Sequence, residues 1–406
     1  MLAPNTNTEA MSSEDAVPRS FIWLAAIAVG VIVTNLFAPQ ILVGLIGPSF
    51  GMSAQQAGMV STLTLSGYAI GLFLLVPLAD LFENKRLIVF TLCGTVVASL
   101  CATIAQTPAL LFASVFLLGA SCSAIQMLVP LIASMASPQD RGRVIGEVMS
   151  GLMVGILLSR PAASFISDLW NWRGFYASSA GAVAILSITL TKRLPTLQPK
   201  NNLGYGKLVA SYWTLLRDEP VLRVRAWTAA LVMASFSAYW AVVALKLSSA
   251  PFEFSPKGVA IFALVGAAGA IAAPIAGWLG DRGYARLTLC ASHALVVVSL
   301  LLAALSDFFE SRVWAIVVLG AAAILLDIGL TGDQTIGRRA INLLQAEARG
   351  RLNGLFVGIF FIGGAIGTMA AALAWVQGGW FAVCAVAGFF GVLTLITDLA
   401  TSTGSS

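Results

Sequence analysis

Charged side chains are scarce in this sequence, at 10% of 406 residues, against 58% hydrophobic residues. A soluble domain usually carries about a quarter charged residues. The chain therefore lacks the polar surface to coat a water-exposed globule, and most of its outside must face lipid. Histidine occurs once, which rules out an HExxH zinc site, and neither a GxSxG turn after a strand nor a GxxxxGK(S/T) phosphate loop is present. Metal hydrolysis, serine chemistry and ATP-driven work all lack parts, so no enzymatic activity, metal or cofactor is expected. The five cysteines (Cys93, Cys101, Cys122, Cys290 and Cys384) lie in apolar runs without a CxxC pair. That pattern reads as small buried apolar side chains, not as a disulfide or metal framework. A net charge of +5 is too small for a nucleic-acid footprint, and no such partner is expected. Residues 1–20 have neither the basic start nor the short apolar core of a signal peptide, and read as a disordered tail before a retained first span.

Long apolar runs are what the chain has in abundance. A span needs about 20 mostly apolar residues to cross a hydrocarbon core about 30 Å thick. Twelve stretches meet or approach that: 21–43, 58–81, 87–105, 109–136, 144–166 and 175–190, then 226–247, 259–279, 287–305, 313–336, 352–376 and 381–399. Backbone groups in lipid must satisfy one another, and the alternating ten-residue strands of a barrel are missing, so the expected class is an all-α polytopic membrane protein. Of the 23 Lys and Arg, eighteen fall on one side of these spans. Only Arg173, Lys257 and Arg312 fall on the other side, and Arg160 and Lys246 lie within spans. The excess predicts that both termini are cytoplasmic, in the inner membrane of a cell. The long break at 191–225 holds a segment around Lys207–Arg217 with helical amphipathic spacing, a candidate surface helix. It divides the chain into a six-span bundle at 21–190 and another at 226–400, with a short tail at 401–406.

The two halves repeat. Arg141-Gly142-Arg143 recurs as Arg349-Gly350-Arg351, and the same offset of 208 joins Gly155 to Gly363 and Trp172 to Trp380. Asp80 after the second span corresponds to Asp281 after the eighth, at an offset of 201. Duplicated six-helix units are a habit of transporters, whose substrate site lies near the midplane between the repeats.

These residues resemble the major facilitator superfamily across nearly the whole chain. The family's loop between spans two and three, Gly-x-x-x-Asp-Arg-x-Gly-Arg-Arg, is matched in part by Asp80, Lys85 and Arg86, and more fully by Gly277, Asp281, Arg282 and Gly283. Asn35 to Gln40, Arg143 to Gly146, Arg160, Leu326 to Gly329, and Ala346 to Asn353 are similar to bacterial drug and metabolite efflux members that exchange against protons. Two departures stand out: Arg160-Pro161 replaces the family's Gly-Pro in span five, and Val115 stands near the place of its span-four arginine. The resemblance implies a twelve-helix fold in two pseudo-symmetric bundles, a monomer, and a small-molecule substrate moved by alternating access. It favours proton-coupled efflux over proton-coupled uptake or a non-transporting receptor on the same fold. It also implies that Asn35, Gln40 and Gln126, in spans one and four, line a substrate cavity, with interhelical hydrogen bonding as the competing role.

The intramembrane charges are the sharpest candidates. Asp327 lies 15 residues inward from Arg312, about 22 Å along a helix and near mid-bilayer. A charge there costs roughly 2.5–3.5 kcal/mol on insertion scales, so it must face a cavity or a partner. Asp327 is thus a candidate proton-coupling acid, and Arg160, from the other half, is its natural counter-charge, with snorkelling as the alternative. At the cytoplasmic ends, Asp80 with Lys85 and Arg86, Asp281 with Arg282, and the loop arginines Arg141, Arg143, Arg349 and Arg351 are candidates for a gate. His293 reads as a satisfied buried histidine, with a proton relay as the other reading.

Overall fold

The computed structural model describes residues 18–137, 140–196, 198, 204–266, 268–269, 272–345 and 348–402. Among the described residues the chain is helical between short turns and has no strand. Nine helices among the described residues are long and apolar enough to cross a membrane. In order the helices are α1 (Arg19–Phe37), α2 (Pro39–Ser49), α3 (Ala54–Leu74), α4 (Asn84–Ile104), α5 (Pro108–Ser121), α6 (Ala124–Ser134) and α7 (Arg141–Arg193). Next come α8 (Tyr205–Asp218), α9 (Pro220–Ser248), α10 (Pro256–Gly266), α11 (Ala272–Asp281), α12 (Ala285–Leu305), α13 (Arg312–Asn342) and α14 (Arg349–Ser402).

Two of these helices are too long for one crossing. At 1.5 Å per residue, 53 residues of α7 would run about 80 Å, more than twice the hydrocarbon thickness. The backbone breaks at Trp170 and Asn171 (φ 58°), and α14 breaks in the same way at Gly378 and Gly379 (φ 61°). Each long helix is therefore two spans joined by a two-residue reversal, and the two reversals are themselves 208 residues apart. With α10 and α11 serving as one crossing, the helices agree with a twelve-span fold in two repeats.

Local chemistry sets the ends and tolerates the polar residues. Ser53 and Gln56 close a reciprocal capping box at the start of α3, and Thr107 caps α5 ahead of Pro108. Within the spans, the hydroxyls of Thr64, Thr91, Ser114, Ser292 and Thr368 each donate to the carbonyl four residues back, so these five need no partner from lipid. The outer surface is apolar: Phe90, Leu287 and Phe389 are each more than 60% exposed, as a lipid-facing helix requires.

Small residues, not large ones, bring the helices of each half together. Gly151 and Gly155 of α7 lie on the backbone of Ala26 and Gly30 in α1, and Gly363 and Gly367 of α14 lie on Ala230 and Ala234 in α9. A Cβ at Gly363 would stand 2.0 Å from the Ala230 carbonyl oxygen, so glycine is required for that approach. Trp172 and Trp380, beside the two reversals, anchor them by donating indole hydrogen bonds to Ser49 Oγ (2.9 Å) and the Ala303 carbonyl (2.8 Å).

The amphipathic segment forms α8, which buries Leu208, Tyr212 and Leu215. Tyr205 donates to the Leu74 carbonyl at 2.9 Å, tying α8 to the end of α3. Burial and the Asp80 carboxylate raise the Tyr212 phenol above its ordinary range.

Candidate functional site

A cavity with about 180 Å³ of space that water centres can reach lies between the two halves. It runs from Arg160 and Asp327 at mid-depth to Met149, near the start of α7, and Arg338, near the end of α13. On the far side the halves close on each other. Gly44 meets Leu245, Gly58 meets Ala372, and Lys257 pairs with Asp168 across the halves at 3.4 Å.

Trp240 of α9 organises the deep end. Arg160 is 4% exposed, so it does not snorkel to either headgroup region. Its guanidinium stacks 4.1 Å from the Trp240 ring centroid, with Phe236 at 5.1 Å and Phe37 at 5.6 Å, and its Nε donates to Gln40 Oε1 at 3.1 Å. A cation held over aromatic faces in a desolvated site gains about 2 kcal/mol, which offsets part of the cost of burying it. One guanidinium nitrogen, Nη2, has no hydrogen-bond partner. The indole N–H of Trp240 donates to Asp327 Oδ2 at 3.3 Å. Arg160 and Asp327 therefore share one tryptophan, on its face and its edge, without pairing within 4.0 Å of each other. Gly266 and Gly269 leave room for Asp327, because a Cβ at Gly269 would stand 2.3 Å from the Asp327 Cβ.

The candidates named from the sequence divide by where they point. Gln126 lines the cavity and donates to the Tyr68 hydroxyl at 3.4 Å; Tyr68 in turn packs edge-on to Phe361, centroids 4.6 Å apart. Gln40 is fully buried behind Arg160 and orients it without lining the cavity. Asn35 turns away altogether, accepting from Ser179 Oγ at 2.7 Å and donating to its own helix at Ile32. It takes the interhelical hydrogen-bonding role. Sequence reading did not pick out Tyr68, Trp240, Thr331, Gln334, Thr335 or Arg338, all of which border the site. Asp327, Thr331, Gln334 and Arg338 follow one another at three- and four-residue steps, so one stripe of α13 faces the cavity. That spacing is the signal that was there to be found.

At the basic face, Asp80 lies within reach of the Arg351 charge from the other half, and Arg351 donates to Ser211 Oγ of α8 at 2.8 Å. Asp281 pairs with Arg339 at 3.2 Å inside its own half, where both are solvent-exposed. Arg282 stacks on Trp278 at 3.9 Å, Arg86 pairs with Glu83, and Arg143 bridges Asp140 and Glu147. Lys85 is half-buried at the start of α4. The side chains of Arg141 and Arg349 lie outside the described residues. Lys246, at the end of α9, pairs with Asp307.

A helical, multi-pass membrane protein with a mainly apolar cavity holding a few charged and polar groups between two repeats is the architecture of a membrane transporter. Residues 22–333 match the Major Facilitator Superfamily, and the chain belongs to that family. It is 34% identical over 381 residues to an uncharacterized transporter, YgaY, of Escherichia coli O157:H7, covering 93% of this chain and 94% of that one. A probable transporter of Streptomyces coelicolor is 28% identical over 93% of this chain and 86% of its own. Among solved structures, a peptide-bound POT family transporter superposes with a TM-score of 0.75 at 13% identity, covering 96% of each chain. The nucleoside transporter NupG superposes at 0.70 and 14% identity, over 94% of this chain and 100% of its own. Both likenesses are of fold.

Proposed function

We propose that this protein is a secondary active transporter of the cytoplasmic membrane, with both termini cytoplasmic. It exchanges a small organic solute against protons by alternating access, in the direction of efflux. The observation that carries the reading is the pair of unlike charges, one from each half, held on the face and the edge of Trp240 at the deep end of the cavity. Asp327 takes the coupled proton, and Arg160 competes with the proton for that carboxylate in the conformation that brings the two together. Here the indole ring holds them apart, which suits the other conformation of such a cycle. Efflux in preference to uptake rests on the likeness of spans one, five and ten to proton antiporters.

The cavity walls suggest the cargo. Arg160, Arg338, Gln126 and Gln334 offer donors, while Phe37, Phe236, Phe360 and Phe361 offer apolar faces. A compact solute with an apolar body and a hydrogen-bonding or anionic end suits that wall. The test is flux into proteoliposomes under an imposed pH gradient, with a thermal-shift screen first used to find a ligand. Asp327→Asn is expected to abolish gradient-driven accumulation while sparing counterflow exchange. Accumulation at the unmodified rate would remove the carboxylate from coupling. Loss of both activities would make it part of the substrate site.

A further inference from the structure

A second group of ionisable side chains lies in the C-terminal half, apart from the cavity. His293 of α12 is fully buried, and its Nε2 stands 3.0 Å from Asp333 Oδ1 of α13, which is 1% exposed. The imidazole Nδ1 is 3.8 Å from Asp398 Oδ2 of α14, itself 3% exposed. Arg225 of α9 pairs with the other Asp398 oxygen at 3.0 Å, and the Cys290 thiol donates to Asp398 Oδ2 at 3.4 Å. Four helices thus converge on one imidazole: Arg225 comes from α9, Cys290 with Arg286 one turn before it from α12, Asp333 from α13 and Asp398 from α14. His293 Nδ1 and Asp333 Oδ2 have no hydrogen-bond partner.

The charges do not balance. Arg286 is solvent-exposed, so the inner group holds two carboxylates against the one guanidinium of Arg225, a net charge of −1 around a neutral imidazole that a single proton brings to zero. Burying an uncompensated charge is costly, and one bound proton would remove that charge. Nor does the fold need these residues. The repeat offsets relate Asp333 to Ile125, Asp398 to Leu190 and His293 to Leu92, and all three counterparts are buried apolar side chains. The N-terminal half packs the same place with hydrocarbon. The fixed positive charge of Arg225 on Asp398 favours a proton over a metal ion as the missing charge.

We infer that His293, Asp333 and Asp398, with Arg225, form a proton-binding site separate from the central cavity. It lies on the back of the helix that carries Asp327. Gly329 and Gly332, between Asp327 and Asp333 on α13, pack directly on Ser292, the neighbour of His293. A proton gained or lost at the imidazole therefore acts beside a close approach of α12 and α13, one helix face from the cavity.

His293 is the only histidine in the chain, so its nitrogen signals need no assignment. The full-length protein, purified by a histidine-free tag with 15N-labelled imidazole, can be followed by NMR from about pH 5 to about pH 9, a window around the ordinary histidine pKa. The imidazole is expected to change protonation or tautomer within that window. Its midpoint is expected to move by about one pH unit or more in Asp333→Asn, since a charge in direct contact is removed. Asp398→Asn gives the same comparison should Asp333→Asn fail to fold. Asp327→Asn is expected to leave the titration in place, even if the coupling role of Asp327 is disproved. Signals that stay constant across the window in the unmodified protein, or a titration that disappears with Asp327→Asn, would overturn the inference.

Discussion

Trp240 links the two charged groups of the cavity by two different interactions, and each can be removed by itself. Trp240→Phe keeps an aromatic ring under Arg160 but loses the N–H that reaches Asp327. A hydrogen bond to a charged group contributes about 1.5–3 kcal/mol, which corresponds to roughly one to two pH units in the balance between protonation states. The pH profile of flux in Trp240→Phe is expected to shift by about that much while substrate binding persists. An unmoved profile would reduce the indole to packing. Arg160→Lys retains the charge but loses the planar fork that stacks on Trp240 while donating to Gln40. Initial transport rates are expected to fall about tenfold or more, equivalent to about 1.4 kcal/mol. A lysine variant working at the original rate would show that only the sign of the charge matters.

The reversals within α7 and α14 are the same device built from different residues. Asn171 has φ 58° with extended ψ, a region that glycine enters freely and other residues enter with strain. It gains a hydrogen bond from the Arg173 amide to its own Oδ1 at 2.8 Å, whereas its counterpart Gly379 has no need of one. Asn171→Gly is expected to be tolerated, and Gly379→Val to destabilise the protein by about 1–3 kcal/mol. Thermal unfolding of the detergent-solubilised protein would measure both. The helix interfaces allow a second comparison. Gly363→Ala drives a methyl into the Ala230 carbonyl and is expected to lower the unfolding temperature, at a cost of about 1–3 kcal/mol. Gly388→Ala, with nothing within 4 Å of the added carbon, is expected to be neutral or mildly stabilising. Equal effects of the two alanines would contradict close packing as the reason for Gly363.

Across the whole molecule, the halves are closed opposite the basic face and leave the cavity reaching toward it. Asp80 feels the charge of Arg351 from the other half at that basic end, with α8 held beside them through Ser211 and Tyr205. Asp80→Asn is expected to shift the balance between open and closed forms of this mouth, read as a change in spectroscopic distances between labels on its two rims. Unchanged distances would make Asp80 an anchor and not a latch. Sidedness is open to direct measurement too. Single cysteines at Gly204 and Ser311, in a background lacking the native five, are expected to react with an impermeant maleimide from opposite sides of the membrane. Equal labelling on intact cells would refute cytoplasmic termini.

Several features were legible without any coordinates because lipid leaves a polypeptide few choices. Spans follow from apolar length, and a charge at mid-depth such as Asp327 or Arg160 stands out because hydrocarbon penalises it. The 208-residue offset seen in Trp172 and Trp380 marks two reversals with the same backbone geometry at Asn171 and Gly379. What the sequence could not decide was which side of each helix turns inward. A soluble helix announces its buried face by alternating with a polar one, but a span that is apolar all round gives no such sign, and only the polar stripe of α13 offered one. Asn35 therefore read equally as a cavity residue or an interhelical partner until its place beside Ser179 was seen, and Trp240 was one tryptophan among ten. His293 read as a satisfied buried histidine or a proton relay, but its partners could not be named because they come from α9, α13 and α14, as far as 105 residues away along the chain. Only the rotation and packing of the helices bring those four side chains to one point, and no local pattern records it.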